Sequence, residues 1–134
     1  MKYLLDTNIC IYIIRRKPLQ VLRRFETLKA GDVGISSITL AELSYGVAKS
    51  QHKKINQEAL ESFTLPLEIA PFDTGTAAAY GEMRARLELQ GISIGPLDLL
   101  IAAHAARLGL TLITNDVQEF SRIEGLSIEN WVDG

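Results

Sequence analysis

The sequence predicts an α/β protein, a parallel sheet with helices on both faces. Two observations carry this. Short apolar runs of strand length alternate along the chain with helix-patterned segments, and no linker, internal repeat or low-complexity stretch divides them. At 134 residues, 47% of them hydrophobic, the chain suits a single domain over residues 1–134 with one substantial core.

The first strand is Tyr3-Leu4-Leu5, met at once by Asp6-Thr7-Asn8. Ile9 to Ile14 has strand-like composition, but a strand directly after Asp6 would leave no room for a turn, so the segment reads as a helix. Arg15-Arg16-Lys17-Pro18 breaks it. Leu19, Leu22, Phe25 and Leu28 recur every three residues and predict a second helix. Ala30-Gly31-Asp32 is a turn and Val33 to Ser36 a short buried strand. Ser37 to Ser50 is a helix with Leu40, Leu43 and Val47 on one face, and a more polar helix follows from about Lys53 to Phe63. Leu65 to Ala70 reads as a third strand, its Pro66 favouring a strand start or a sheet edge. Asp73 is expected to cap a long alanine-rich helix that ends near Gly91. Ile92 to Pro96 is a loop, and Leu97 to Leu108 a helix stopped by Gly109. Leu110 to Ile113 is a fourth strand, Asp116 to Arg122 a short helix and Leu126 to Glu129 a last strand.

Sixteen acids against fourteen bases give a formal net charge of −2, which excludes a polycation. Nucleic-acid binding would therefore need local basic patches or a metal ion. Arg15-Arg16-Lys17 and Arg23-Arg24 are the candidate backbone contacts. The single cysteine, Cys10, has no intrachain partner, and its apolar neighbours predict a buried thiol. Asp6 interrupts any signal-peptide core, and no apolar run approaches the ~20 residues of a membrane span. A cytoplasmic protein with no membrane association is expected.

Four acids sit at element boundaries: Asp6 after the first strand, Glu42 early in the third helix, Asp98 in the first turn of the Pro96 helix, and Asp116 after the fourth strand. Each has a structural excuse. Asp6 or Thr7 could cap the first helix, Thr39-x-x-Glu42 matches a capping box, Asp98 suits a helix macrodipole, and Asp116 could cap with Glu119. Capping gives no reason for convergence, however. In a parallel sheet Asp6 and Asp116 share the rim at the strands' carboxyl ends, and the helix bearing Glu42 begins there too. Carboxylates gathered at a rim repel unless a cation joins them, and magnesium or manganese would prefer such oxygen ligands. Zinc is not indicated, since there is no CxxC and no paired histidines; His104 reads as a helix-packing residue and His52 as solvated. Neither a GxSxG nor a P-loop is present. The residues alone thus point to a carboxylate-held metal site without a protein nucleophile.

Leu5-Asp6-Thr7-Asn8, Ser36 to Leu43, Gly95 to Ala105 and Ile113 to Phe120 resemble, in order and spacing, the PIN-domain ribonucleases. More narrowly they resemble the VapC toxins of bacterial toxin–antitoxin pairs. The likeness runs from Met1 to about Trp131. It implies a three-layer α/β/α sandwich around a mostly parallel sheet, with Asp6, Glu42, Asp98 and Asp116 as catalytic acids holding Mg2+ or Mn2+ for RNA cleavage. Asp116 stands where relatives often have asparagine. The likeness also implies that Thr114 orients a ligand or water, a VapB antitoxin partner, a homodimer, and initiator tRNA cut in the anticodon loop. Thr7 would then cap the first helix and release Asp6 for metal. The Ile9–Leu28 helical pair and Trp131 offer apolar surface to the antitoxin. Two rivals remain. An aspartyl-phosphate phosphatase also places an aspartate after its first strand, but its second aspartate is here Asn8. A catalytically inactive interaction module of the same fold would not need all four acids.

Overall fold

A computed structural model describes residues 1–133. The elements follow in the order β1 (Tyr3–Leu5), α1 (Thr7–Arg15), α2 (Leu19–Glu26), β2 (Val33–Ser36), α3 (Ser37–Ala48), α4 (Lys53–Thr64), β3 (Glu68–Ala70), α5 (Thr74–Leu89), α6 (Pro96–Leu108), β4 (Thr111–Ile113), α7 (Val117–Phe120) and β5 (Ser127–Glu129). The five strands form one sheet in the order β3-β2-β1-β4-β5, and every pairing is parallel. Every expected element is present. The third strand is shorter than expected, because Leu65 instead closes α4 and is 87% exposed, which leaves Pro66 outside the ladder. As Pro66 suggested, this strand lies at a sheet edge.

Parallel strands buried on both faces need apolar side chains pointing both ways, and β1 and β4 supply them in register. Leu4 pairs with Leu112 and Leu5 with Ile113, all fully buried. Leu5 and Ile113 pack with Ile9, Val21, Leu43 and Phe63 of α1–α4. Leu4 and Leu112 pack on the other face with Met83, Leu87, Leu99 and Phe120 of α5–α7. The result is three layers, helices on each side of the sheet.

Two further expectations are settled here. Cys10 is fully buried in the α1 face, and burial pushes its thiol well above the usual range. Trp131 is a core residue and not partner-facing surface. It is 2% exposed, edge-on to Tyr3, and its Nε1–H donates to Glu129 at 3.0 Å. It joins the core on the α1–α4 side of the sheet, where burying a large aromatic outweighs exposing it.

Candidate active site

The strand order sets the site. The chain moves from β1 outward to β2 and β3, then crosses to the other side of β1 to lay down β4 and β5. The direction of travel reverses between β1 and β4, and the crevice beyond their carboxyl ends is where open α/β sheets bind ligands. Asp6 leaves β1 there, its N–H held by the carbonyl of Ile113 at 3.0 Å, while Thr114 leaves β4 with its N–H on Glu129 at 3.1 Å.

Asp6 both caps α1 and faces the crevice. Its Oδ1 accepts the Ile9 N–H at 2.9 Å, so the capping role expected of Thr7 falls to Asp6. Thr7 is instead the first residue of α1, and its hydroxyl donates to Glu42 Oε1 at 2.7 Å. That contact corrects the capping box as well. Ser36, not Thr39, caps α3, accepting the Ile38 N–H at 3.0 Å, and Thr39 is buried three residues into the helix. Glu42 therefore has no backbone duty and is steered by α1 toward the rim. Asp98 lies in the first turn of α6, with Pro96 opening that helix. Asp116 caps α7, accepting the Glu119 N–H at 3.2 Å.

The electrostatics show that all four acids share one field. Asp6 is 5% exposed. Burial, joined by the charges of Asp116 and Glu42, raises its carboxyl to about 6, against the pull of hydrogen bonds from Thr114 and Ile9. Asp98 is raised too, first by burial, then by Asp6, Glu42 and Asp116. Among the described residues, no lysine or arginine forms an ion pair with either group.

Sequence reasoning missed one member. Glu119 accepts the Gly95 N–H at 3.0 Å and stands within hydrogen-bonding reach of both Asp98 and Asp116. Burial, Asp116 and Asp98 all push its carboxyl up. The signal was present as Asp116-x-x-Glu119, read only as a cap. Thr114 sits beside the site, as expected. Its buried hydroxyl accepts the Asp116 N–H at 3.0 Å and hydrogen-bonds Asp6, so it orients two site acids.

The basic stretches lie elsewhere. α1 runs away from the rim, which puts Arg15 to Lys17 roughly 13 Å along the helix from Asp6. Arg24 is engaged by Glu129 at 3.1 Å and by the Trp131 ring. His104 packs as expected, buried, with Nδ1 2.8 Å from Ser36 Oγ; Asp73 caps α5 through the Thr76 N–H at 2.9 Å.

Whether this donor set fits a metal is answered by its chemistry. Among the described residues, no three His, Cys, Asp or Glu side chains are already closed into a metal-holding group. The set is all oxygen, without histidine or cysteine, and among the described residues its acids have no ion-pair partner. That suits a hard divalent ion such as magnesium, which keeps several waters and takes only one or two carboxylates. Asp6 and Asp98 would hold it, with Glu42, Asp116 and Glu119 around them.

Known proteins share this fold and these elements. The PIN domain family matches residues 3–126. The chain is 48% identical over 132 residues to the ribonuclease VapC2 of Rickettsia felis, covering 98% of each chain. It is 44% identical over 131 residues to the tRNA(fMet)-specific endonuclease VapC of Shigella flexneri, again covering 98% of each. The crystal structure of VapBC2 from Rickettsia felis, bound to a DNA fragment from their promoter, superposes with a TM-score of 0.90 at 47% identity. That match covers 98% of this chain and 99% of the other.

Proposed function

The chain belongs to the VapC branch of the PIN-domain family, and on that premise we propose that it is a divalent-metal-dependent endoribonuclease, the toxin of a toxin–antitoxin pair. The observation that carries the chemistry is the buried Asp6 sharing its field with Glu42, Asp98 and Asp116, with no ion-pair partner among the described residues. When bound, Mg2+ or Mn2+ supplies an activated water and stabilises charge on the leaving oxygen of a phosphodiester. The protein's share is positioning. Thr114 and the Ile9 N–H fix the Asp6 carboxylate, Thr7 fixes one oxygen of Glu42, and the Gly95 N–H anchors Glu119 beside Asp98.

The substrate class is RNA, with initiator tRNA, cut in the anticodon loop, the first to try, given the likeness to the Shigella flexneri tRNA(fMet)-specific enzyme. A loop presents splayed bases and an accessible backbone. Inhibition falls to a VapB-type antitoxin. An apolar groove of about 910 Å³ between α1, α3 and α4, lined by Ile11, Ile14, Val47, Ala59 and Leu60, offers it a surface that reaches Glu42. We place the protein in the cytoplasm, as a homodimer when not inhibited; among the described residues, no helix is long and apolar enough to cross a membrane.

The test is purified, antitoxin-free protein given initiator tRNA with Mg2+, with Mn2+ and with EDTA. Cleavage is expected with either metal and none with EDTA. Metal-independent cleavage would overturn the metal reading, and hydrolysis confined to small phosphomonoesters would favour a phosphatase. Growth arrest on expression, relieved by the adjacent antitoxin gene, checks the toxin role.

Thr114→Val tests the positioning. It removes the hydroxyl that holds down the Asp6 carboxyl, which then rises further. Cleavage near neutral pH is expected to fall about tenfold, within the range for removing a group that orients a ligand. The rate–pH profile shifts to higher pH, and Thr114→Ser restores it. An unshifted profile would show that the hydroxyl serves only the backbone.

A further inference from the structure

Beyond the acids, a second kind of group faces the same crevice. A cavity of about 410 Å³ is lined by Asp116, Gln118, Glu119 and Arg122. Arg122 is the only basic residue in that lining. Its guanidinium is not tied to the acids: among the described residues it makes no ion pair. Nor is the side chain left to wander. One Nη2–H donates to the Ser93 carbonyl at 2.7 Å, while Glu119, one turn earlier, accepts the Gly95 N–H. The two side chains grip residues 93–95, which lead into the helix carrying Asp98.

A fixed guanidinium with unused donors, opening on the cavity that the site acids line, is suited to a phosphate. It shares the cavity lining with Asp116 and Glu119 without pairing with either, which suits an anion beside the reacting group. We infer that Arg122 binds a backbone phosphate of the RNA next to the scissile one, fixing the strand's register across the carboxylate site. This inference rests on the ribonuclease reading above. It also supplies a local basic contact, which a chain of net charge −2 needs, on the side of the site that Asp116 and Glu119 line.

The test measures binding of a fluorescent single-stranded RNA by full-length protein carrying Asp98→Asn, so that cleavage is slow on the timescale of binding, with Mg2+ held constant and NaCl varied. Adding Arg122→Gln is expected to weaken binding about tenfold and to reduce the slope of log K against log salt by about 0.7, one phosphate contact on a single strand. Arg122→Lys keeps the slope. In the cleavage-competent protein the Gln change should raise KM and leave kcat within a few fold. Equal losses from Gln and Lys, with an unchanged slope, would overturn the proposal and leave Arg122 a clamp on the Ser93 carbonyl. Failure of the Asp98→Asn protein to bind any RNA, with no cleavage by the native chain, would overturn the ribonuclease reading and this proposal with it.

Discussion

Replacing Asp98 by asparagine, or Asp6 by asparagine, should each reduce tRNA cleavage by roughly two to three orders of magnitude at saturating Mg2+. That is about the loss seen when one charge-stabilising group is taken from an active site. Both changes keep size and hydrogen-bonding shape while removing a negative charge from the group that would hold the ion. A metal titration separates this from a packing defect. Each variant should need more Mg2+ than the native chain to reach its own lower plateau, and the softer, more tightly held Mn2+ should recover part of the rate. Cleavage surviving both substitutions at the native rate would remove these acids from the site. Glu119→Gln is the informative companion. Its carboxyl faces Asp98 and Asp116 directly, so its loss should fall between that of Asp98→Asn and that of Thr114→Val.

Asp6→Asn should at the same time make the metal-free protein more stable. The Asp6 carboxyl stands at about 6 in the fold against an ordinary 3.8. Between those values the folded chain keeps a proton that the unfolded chain has released. Stability in EDTA therefore falls as pH rises from about 4 to 6, and the full penalty remains above that. A shift of about two pH units corresponds to about 3 kcal/mol. Asparagine avoids the charge but forms weaker hydrogen bonds with Ile9 and Thr114, so a net gain of about 1–2 kcal/mol is expected, or roughly 3–8 °C in Tm. The measurement is thermal unfolding of both proteins at pH 7.5 in EDTA, then at pH 4. The variant should melt higher at pH 7.5 and lose most of that advantage at pH 4. Added Mg2+ should raise the native Tm and leave the variant's nearly unchanged, because an ion that binds only the folded state stabilises by mass action. A variant that melts lower than the native chain in EDTA at pH 7.5 would show that Asp6 is held by its hydrogen bonds and not strained by its charge.

The two expectations pull in opposite directions for one physical reason. Burying an acid among other acids costs stability, which is the cost expected of a site that a cation would complete.

Much of this was legible in the chain. Apolar runs the length of strands, broken by Gly109, Pro18 and the Asp73 cap, determined the order and type of the elements, because local periodicity and capping act over a few residues. The boundary positions of Asp6, Glu42, Asp98 and Asp116 were equally visible, and a parallel sheet was enough to bring at least Asp6 and Asp116 to one rim. Tertiary structure alone decided who does what there. Thr7 turned from cap to partner of Glu42, and Asp6 took the cap, because a contact between residues 35 apart has no trace in local spacing. Trp131 moved from surface to core because only the folded chain offers it a place beside Tyr3 of the central strand. Glu119 joined the site, and Arg122 came beside it, because α7 and the turn after it pack against residues 93–95, contacts between positions 24 and 29 apart that local spacing does not reveal. Local sequence sets which elements form; long-range packing sets which side chains face each other, and the candidate site is made of the latter.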